Sequence, residues 1–190
     1  FRSPAAQLIT NQATNQLAPC LEKMLPSYLR VLFLGFFISH IPTTLLIDGQ
    51  AVIGSCYPQV LKDVLQWHIS TNQDFLMRDL ELWFRCVVWG ELVLQLPFFF
   101  VASYAFYKGC NWIRIPSIIY GSHVATTMIP ILGEIIFSPK WSAASGQANL
   151  LLFGIYFPYL AIPFLMVVTM ALDPEPFGPQ GWGKIEAKVR

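Results

Sequence analysis

Charge is what this sequence has least of. Only 12% of its 190 residues are Asp, Glu, Lys or Arg, where a soluble domain carries about 25%. With 55% hydrophobic residues and a mean hydropathy of +0.51, the composition is that of a membrane protein, and the length suits one compact domain. The formal net charge of +1 lacks the basic excess that nucleic-acid binding requires, so no nucleic-acid partner is expected. Cysteine is sparse too. Cys20, Cys56, Cys86 and Cys110 form no CxxC pair and no zinc spacing, so no metal and no cofactor is expected from them. Residues 1–28 lack a secretory signal pattern. That polar N-terminal tail starts at Phe1 and holds one acid, Glu22. It reads either as the segment behind a cleaved organellar presequence or as an ordinary polar tail.

Long apolar runs are plentiful instead. Four of them, Leu29–Ile47, Phe84–Tyr107, Ile113–Phe137 and Leu150–Leu172, each approach the ~20 residues that cross hydrocarbon. A soluble core explains one such run, not four in a chain this short. Between the first two lies Gly49–Leu82, where "PQVLKDVLQWHIS" predicts a short amphipathic helix at the interface. The other connections are short, so neighbouring spans should run antiparallel in an up-down four-helix bundle occupying residues 29–172. A Pro/Gly-rich tail, 173–190, comes after it. Every span contains proline (Pro42, Pro97, Pro130, Pro158 and Pro163), so bent helices with room between them are expected. The carbonyls these prolines free must find hydroxyl or water partners.

Polar side chains inside the spans are few, and their spacing groups them. His40, Thr44 and Asp48 stand at i, i+4 and i+8 on one helix face. Glu91 and Gln95 pair in the same way, as do His123 and Thr127, with Tyr120 one turn earlier. Tyr156 and Tyr159 face a similar direction in the fourth span. If these faces converge they enclose an apolar pocket with a few polar groups, the form of a small-molecule site. Plainer roles exist for most of them. His123 with Thr127 reads as an interhelical hydrogen-bond pair, His40 as a structural donor, and Gln95 and Thr44 as helix-to-helix glue. Asp48 and Glu134 lie near helix ends, where interfacial acids are ordinary. Glu91 has apolar flanks on both sides, and a charge at bilayer depth costs at least ~2.5–3.5 kcal/mol. Two acids in one low-dielectric site do not both ionise. Glu91, the deeper, should hold a proton and donate it to an anionic Asp48. A buried anion among aromatic walls suits a protonated amine.

The strings "FLGFFISHIPTTLLIDGQAV", "WGELVLQLPFFFVASYAFYKGCNWIRIPSIIYGSHVATTMIPIL" and "IYFPYLAIPFLMV" resemble the sigma-2 receptor family, a part of the EXPERA group that also contains the sterol delta-8 isomerases. The likeness runs from about residue 31 to 172. It implies an all-α, four-transmembrane-helix EXPERA fold, often dimeric, in the endoplasmic reticulum. It also implies a pocket for sterols and cationic amphiphiles that opens towards the bilayer. The family's ligand-pairing aspartate falls on Asp48, and the glutamate that hydrogen-bonds it falls on Glu91. Gln95, His40, Tyr120, Thr127, Tyr156 and Tyr159 match pocket or near-pocket positions. Three features depart from the family: a longer polar N-terminal tail, the loop "SPKWSAASGQANL", and a C-terminus without the lysine-rich retrieval signal.

Three functions are compatible with these features. The first is a binding protein for membrane sterols or cationic amphiphiles. The second is a sterol isomerase, which needs an acid and a base placed across the ring system. The isomerase branch carries a His-plus-acid pair at i, i+4, whereas position 44, one turn before Asp48, is threonine. The third is an accessory subunit of a larger membrane complex, mitochondrial if the start is processed, with Phe177 and Trp182 of the tail as anchors on neighbouring subunits. The basic residues set the orientation. Arg2, Lys23, Arg30, Lys108, Arg114, Lys184, Lys188 and Arg190 share one side, against Lys62, Arg78, Arg85 and Lys140 on the other. Both termini should then face the cytosol, or the matrix in a mitochondrial membrane. Labelling of intact vesicles with an impermeant thiol reagent should place Cys20 and Cys110 on one side and Cys56 on the other. Modification of Cys20 and Cys56 from the same side would show that the first run is not a span.

Overall fold

The structure, a computed structural model, describes residues 25–138 and 146–178. Four helices are long and apolar enough to cross a membrane: Ser27–Cys56, Leu82–Lys108, Asn111–Phe137 and Leu150–Leu172. The first comprises α1 (Ser27–Thr43), a π-helical turn (Thr44–Asp48), α2 (Gln50–Ile53) and a 3-10 turn (Gly54–Cys56). The linker holds α3 (Gln59–Asn72) and α4 (Phe75–Asp79). The second span comprises α5 (Leu82–Gly90), a second π-helical turn (Glu91–Gln95) and α6 (Leu96–Lys108). The third is a 3-10 turn (Asn111–Ile113) running into α7 (Arg114–Phe137), and the fourth is α8 (Gly146–Tyr156) joined to α9 (Pro158–Leu172). The chain thus forms an all-helical, four-span integral membrane protein.

The spans pack in two pairs, α1 on α6 and α7 on α9, and α9 also touches α1. Phenylalanine fills the seam of the first pair. Phe33, Phe37, Phe99 and Phe106 are fully buried, with Phe33 and Phe106 edge-to-face at 5.7 Å. Glycine closes the second pair. A Cβ on Gly121 would meet the Pro163 carbonyl oxygen at 2.7 Å and Val167 Cγ2 at 2.6 Å, so the two backbones come together only because position 121 has no side chain. The outward faces carry Ile38, Leu94, Phe100, Ile119, Ile129 and Phe164, all exposed, as a lipid-facing surface requires.

Arginine and asparagine tie the ends. Arg30 donates from Nε to the Phe106 carbonyl (2.7 Å) and from Nη2 to that of Tyr107 (2.6 Å), taking up acceptors at the end of α6. Arg114 Nε does the same for Met170 (2.8 Å) and Asp173 (2.9 Å) at the end of α9. Gly109, with φ at 73°, ends α6 in the left-handed conformation that a residue without Cβ adopts freely. The start of the C-terminal tail is docked on its own chain. Asn111 accepts from the Phe177 backbone N–H (2.9 Å) and donates to the Gly178 carbonyl (2.8 Å), while the Phe177 ring meets Phe106 edge-to-face at 5.7 Å. Trp182 lies outside the described residues.

Helix α3 is the amphipathic segment the sequence predicts. None of its residues is buried, and Val60, Val64 and Trp67 at i, i+4 and i+7 present an exposed apolar stripe suited to the interface.

Gly121→Ala should destabilise the protein by about 1–3 kcal/mol, because the added methyl meets backbone that cannot move aside. Gly133→Ala, on the same helix with nothing within 4 Å of its added Cβ, should leave stability unchanged or raise it. Thermal unfolding in mild detergent measures both, and equal melting temperatures for the two variants would contradict the close packing of α7 on α9.

Candidate functional site

Every span contributes its polar face to one cavity of about 200 Å³. His40, Thr43 and Asp48 come from the first span, Glu91 and Gln95 from the second, Thr127 from the third, and Tyr156 and Tyr159 from the fourth. The linker adds His68 and Met77, and Val87, Val88, Val124, Met128, Ile131 and Ile155 supply apolar wall. Among the described residues, no lysine or arginine lines it.

Helix irregularity places these residues. Asp48 closes the first π-helical turn and Glu91 opens the second, and the two turns touch. On an ideal α-helix every fourth residue drifts about 40° around the axis. The wider π turn advances less per residue, so Asp48 stays in line with His40 rather than drifting off the cavity. A π turn also disturbs the backbone bonding, and side chains repair it here. The Gly49 N–H reaches back to the Thr44 carbonyl (2.9 Å). The Leu45 carbonyl accepts from the Tyr57 hydroxyl (2.5 Å) and that of Leu46 from Gln50 Nε2 (2.7 Å). Gln50 Nε2 also reaches the Leu61 carbonyl (3.0 Å), so the same amide fastens α3 to the first span. The Tyr57 phenol is pushed up from its ordinary pKa, first by burial and then by the nearby Asp48 carboxylate, so it remains a donor at neutral pH. In the fourth span Pro158 starts a new helix between Tyr156 and Tyr159.

Glu91 is held by the first span. Its Oε1 accepts from Thr44 Oγ1 at 2.5 Å and lies 3.4 Å from His40 Nε2. The His40 ring stacks on Phe99 (4.6 Å between centroids) and leans on Tyr159 (4.7 Å). Asp48 offers a carboxylate oxygen within 4.8 Å of the His40 and Glu91 donor atoms. No described hydrogen bond joins the two acids. Thr44, which the sequence casts as glue, is therefore the bonding partner of Glu91, in place of Asp48.

Two further expectations differ from the structure. Tyr120 stands behind the cavity wall, its ring stacked on Phe98 (4.9 Å) and packed against Phe37 (5.3 Å), and it does not line the cavity. His123 is exposed on the outer face of α7, while Thr127 Oγ1 bonds the Val124 carbonyl of its own helix (3.0 Å). Four residues of spacing on a 24-residue helix leave these two side chains angularly apart, enough for one to face out and the other in.

The family profile described as EXPERA (EXPanded EBP superfamily) matches residues 60–170. The chain is 48% identical over 151 residues to "Sigma intracellular receptor 2" of Xenopus tropicalis, covering 76% of this chain and 88% of that protein. It is 43% identical over 150 residues to the protein of the same name from Homo sapiens, covering 73% and 85%. The chain belongs to the EXPERA superfamily, in its sigma-2 receptor family. A further relative, "Efficient mitochondria targeting-associated protein 19" of Schizosaccharomyces pombe, is 28% identical over 150 residues, covering 75% of each chain. Within the EXPERA fold seen here, the matched segment contains Glu91 and Gln95, while His40, Thr44 and Asp48 lie on the first span, ahead of it.

One part of this EXPERA cavity escapes the sequence reading. Asp74, on the linker, is fully buried. Its Oδ1 accepts the Met77 N–H (3.0 Å), capping α4. Its Oδ2 accepts from the Tyr156 hydroxyl (2.9 Å) and faces His68 Nε2 (3.1 Å), whose Nδ1 meets Asn72 Nδ2 at 2.9 Å. One carboxylate thus joins α3, α4 and the fourth span over the cavity, and Tyr156 faces the cavity while its hydroxyl turns to Asp74. The signal in the sequence is an Asp directly before the apolar run Phe75-Leu76-Met77, an N-cap pattern. Tyr156→Phe should cost about 1–2 kcal/mol, and Asp74→Ala more than that, since it removes the cap and strands two donors. Detergent melting curves test the order; an Asp74→Ala protein as stable as wild type would refute this role.

Proposed function

We propose that this protein is a membrane-embedded binding protein for sterols or cationic amphiphilic small molecules, with the ligand's amine held by Asp48 beside Glu91. The observation that carries the reading is two carboxylates opening on an apolar cavity that, among the described residues, no lysine or arginine lines. Such acids need a cation from outside or a shared proton. The relatives named as sigma intracellular receptors support a small-molecule occupant. His40, Gln95, Thr127, Tyr156 and Tyr159 form the rest of the site, and the aromatic rings add cation–π attraction to the ion pair. At about 200 Å³ the cavity is smaller than the ~300–1,000 Å³ of drug-sized pockets. That size favours the amine end of an amphiphile, its tail reaching towards lipid, over a whole sterol nucleus.

Binding is favoured over isomerase catalysis on geometry. An isomerase places acid and base across a ring system, whereas His40, Asp48 and Glu91 converge on one point. The accessory-subunit reading draws on the mitochondria-targeting name of the yeast relatives. Against it, Phe177, the tail residue it would use as an anchor, packs on Phe106 and beneath Arg30 of its own chain. We propose the endoplasmic reticulum as the location, on the sigma-2 likeness, with the mitochondrial inner membrane as the alternative. Homodimerisation comes from the same likeness.

Asp48→Asn should weaken binding of a tritiated aryl-alkyl-piperidine at least about tenfold while sparing a neutral sterol probe. Glu91→Gln should weaken it less, because the amide oxygen can still accept from Thr44 and only the second carboxylate is lost. Unchanged amine affinity in Asp48→Asn would remove Asp48 from the site.

A further inference from the structure

The same three side chains have a geometry that an amine does not need. We propose that His40, Asp48 and Glu91 form a site for a divalent transition-metal cation with zinc-type coordination, in competition with the amine. One donor atom from each lies within 4.8 Å of the others. The 3.4 Å between His40 Nε2 and Glu91 Oε1 matches the edge of a tetrahedron, about 3.3–3.6 Å, around a zinc ion with metal–ligand bonds of ~2.0–2.2 Å. Asp48 is half-buried and ends none of the described hydrogen bonds, so its oxygens are available to a metal. Both carboxylates stand on π-helical turns within membrane-spanning helices, a firmer mount than a loop.

The donor set selects the ion. One imidazole nitrogen with two carboxylates suits zinc, manganese or ferrous iron. It lacks the thiolates of copper(I) sites and the six to eight oxygens of calcium sites. Two carboxylates balance a divalent charge without any basic side chain, and the fourth position opens on the cavity, where water or a ligand atom completes the tetrahedron. A hydrogen bond from the distal nitrogen usually orients a ligating histidine. Here His40 Nδ1 has no partner among the described residues, and the ring is fixed by aromatic contacts instead: stacked on Phe99, against Tyr159, with Phe36 edge-on at 5.0 Å.

The test uses the full chain in mild detergent, stripped with EDTA and titrated with Co²⁺. The expected result is one Co²⁺ per chain with the visible absorption of a tetrahedral site, displaced by Zn²⁺ and not by Mg²⁺. Asp48→Asn and His40→Gln should each weaken Co²⁺ binding by more than about a hundredfold, since losing even an outer-shell partner costs 10–100-fold. Melting curves of the metal-free variants check folding. If His40→Gln does not fold, Asp48→Asn decides. Absent or non-saturable Co²⁺ binding, or binding unchanged in a folded variant, overturns the site. Amine binding measured in EDTA bears on the receptor reading alone. Zn²⁺ should raise the apparent Kd of the tritiated piperidine in proportion to its concentration. Tight amine binding with no metal binding overturns the metal site and leaves the receptor reading standing. Metal binding without amine binding does the reverse.

Discussion

Two carboxylates face an apolar cavity inside the bundle, and among the described residues no lysine or arginine lines that cavity to answer them. The rest of the architecture accommodates that situation. A charge at membrane depth costs at least ~2.5–3.5 kcal/mol, so the fold must supply hydrogen bonds, a proton or an outside cation. Thr44 donates a hydrogen bond to Glu91, and His40 Nε2 stands 3.4 Å from the same oxygen. Asp48 ends none of the described hydrogen bonds, and on the proposed function this open acid is where a ligand's cation would be held.

Placing the acids costs the helices their regularity. Both acids, Gln95 and the two tyrosines lie at or beside a break in the ordinary α-helical pattern. The first π turn carries Asp48, the second carries Glu91 and Gln95, and the Pro158 junction separates Tyr156 from Tyr159. In hydrocarbon a displaced carbonyl has no water to turn to, so Gln50 and Tyr57 take that role. Asp74 does the corresponding work on the linker, where a buried carboxylate binds two helices and the fourth span together. Strength elsewhere lets the centre stay irregular: the phenylalanine seam between α1 and α6, the glycine contact of α7 with α9, and the arginine clamps at the helix ends.

Hydropathy makes the four spans legible, and two predicted ends, Phe137 and Leu172, coincide with observed ones. The first span runs on to Cys56, past its expected end at Ile47, because Gln50 finds two carbonyls and does not stop the helix. His40, Asp48, Glu91, Gln95, Thr127, Tyr156 and Tyr159, which same-face spacing singles out, do meet at one cavity. It fails for His123, which has the right period and the wrong phase, and nothing in one sequence fixes phase. The π turns are not legible either, since a shift in hydrogen-bond register changes no residue type. Asp74 is not legible as part of the site, because the fold and not the local sequence brings Tyr156 to it across 82 positions.

The central claim is that Asp48 and Glu91 receive a cation inside the bundle. The most direct measurement is an experimental structure of the full chain with a bromine-labelled amphiphilic amine, the label located by anomalous scattering. The expected result puts the amine nitrogen within about 3 Å of the Asp48 carboxylate, the range of a charge-assisted hydrogen bond, with the apolar tail along Val88, Met128 and Ile131. An amine seated on the outer lipid-facing surface, with the cavity closed by its own side chains and the two acids bonded to each other, would contradict it.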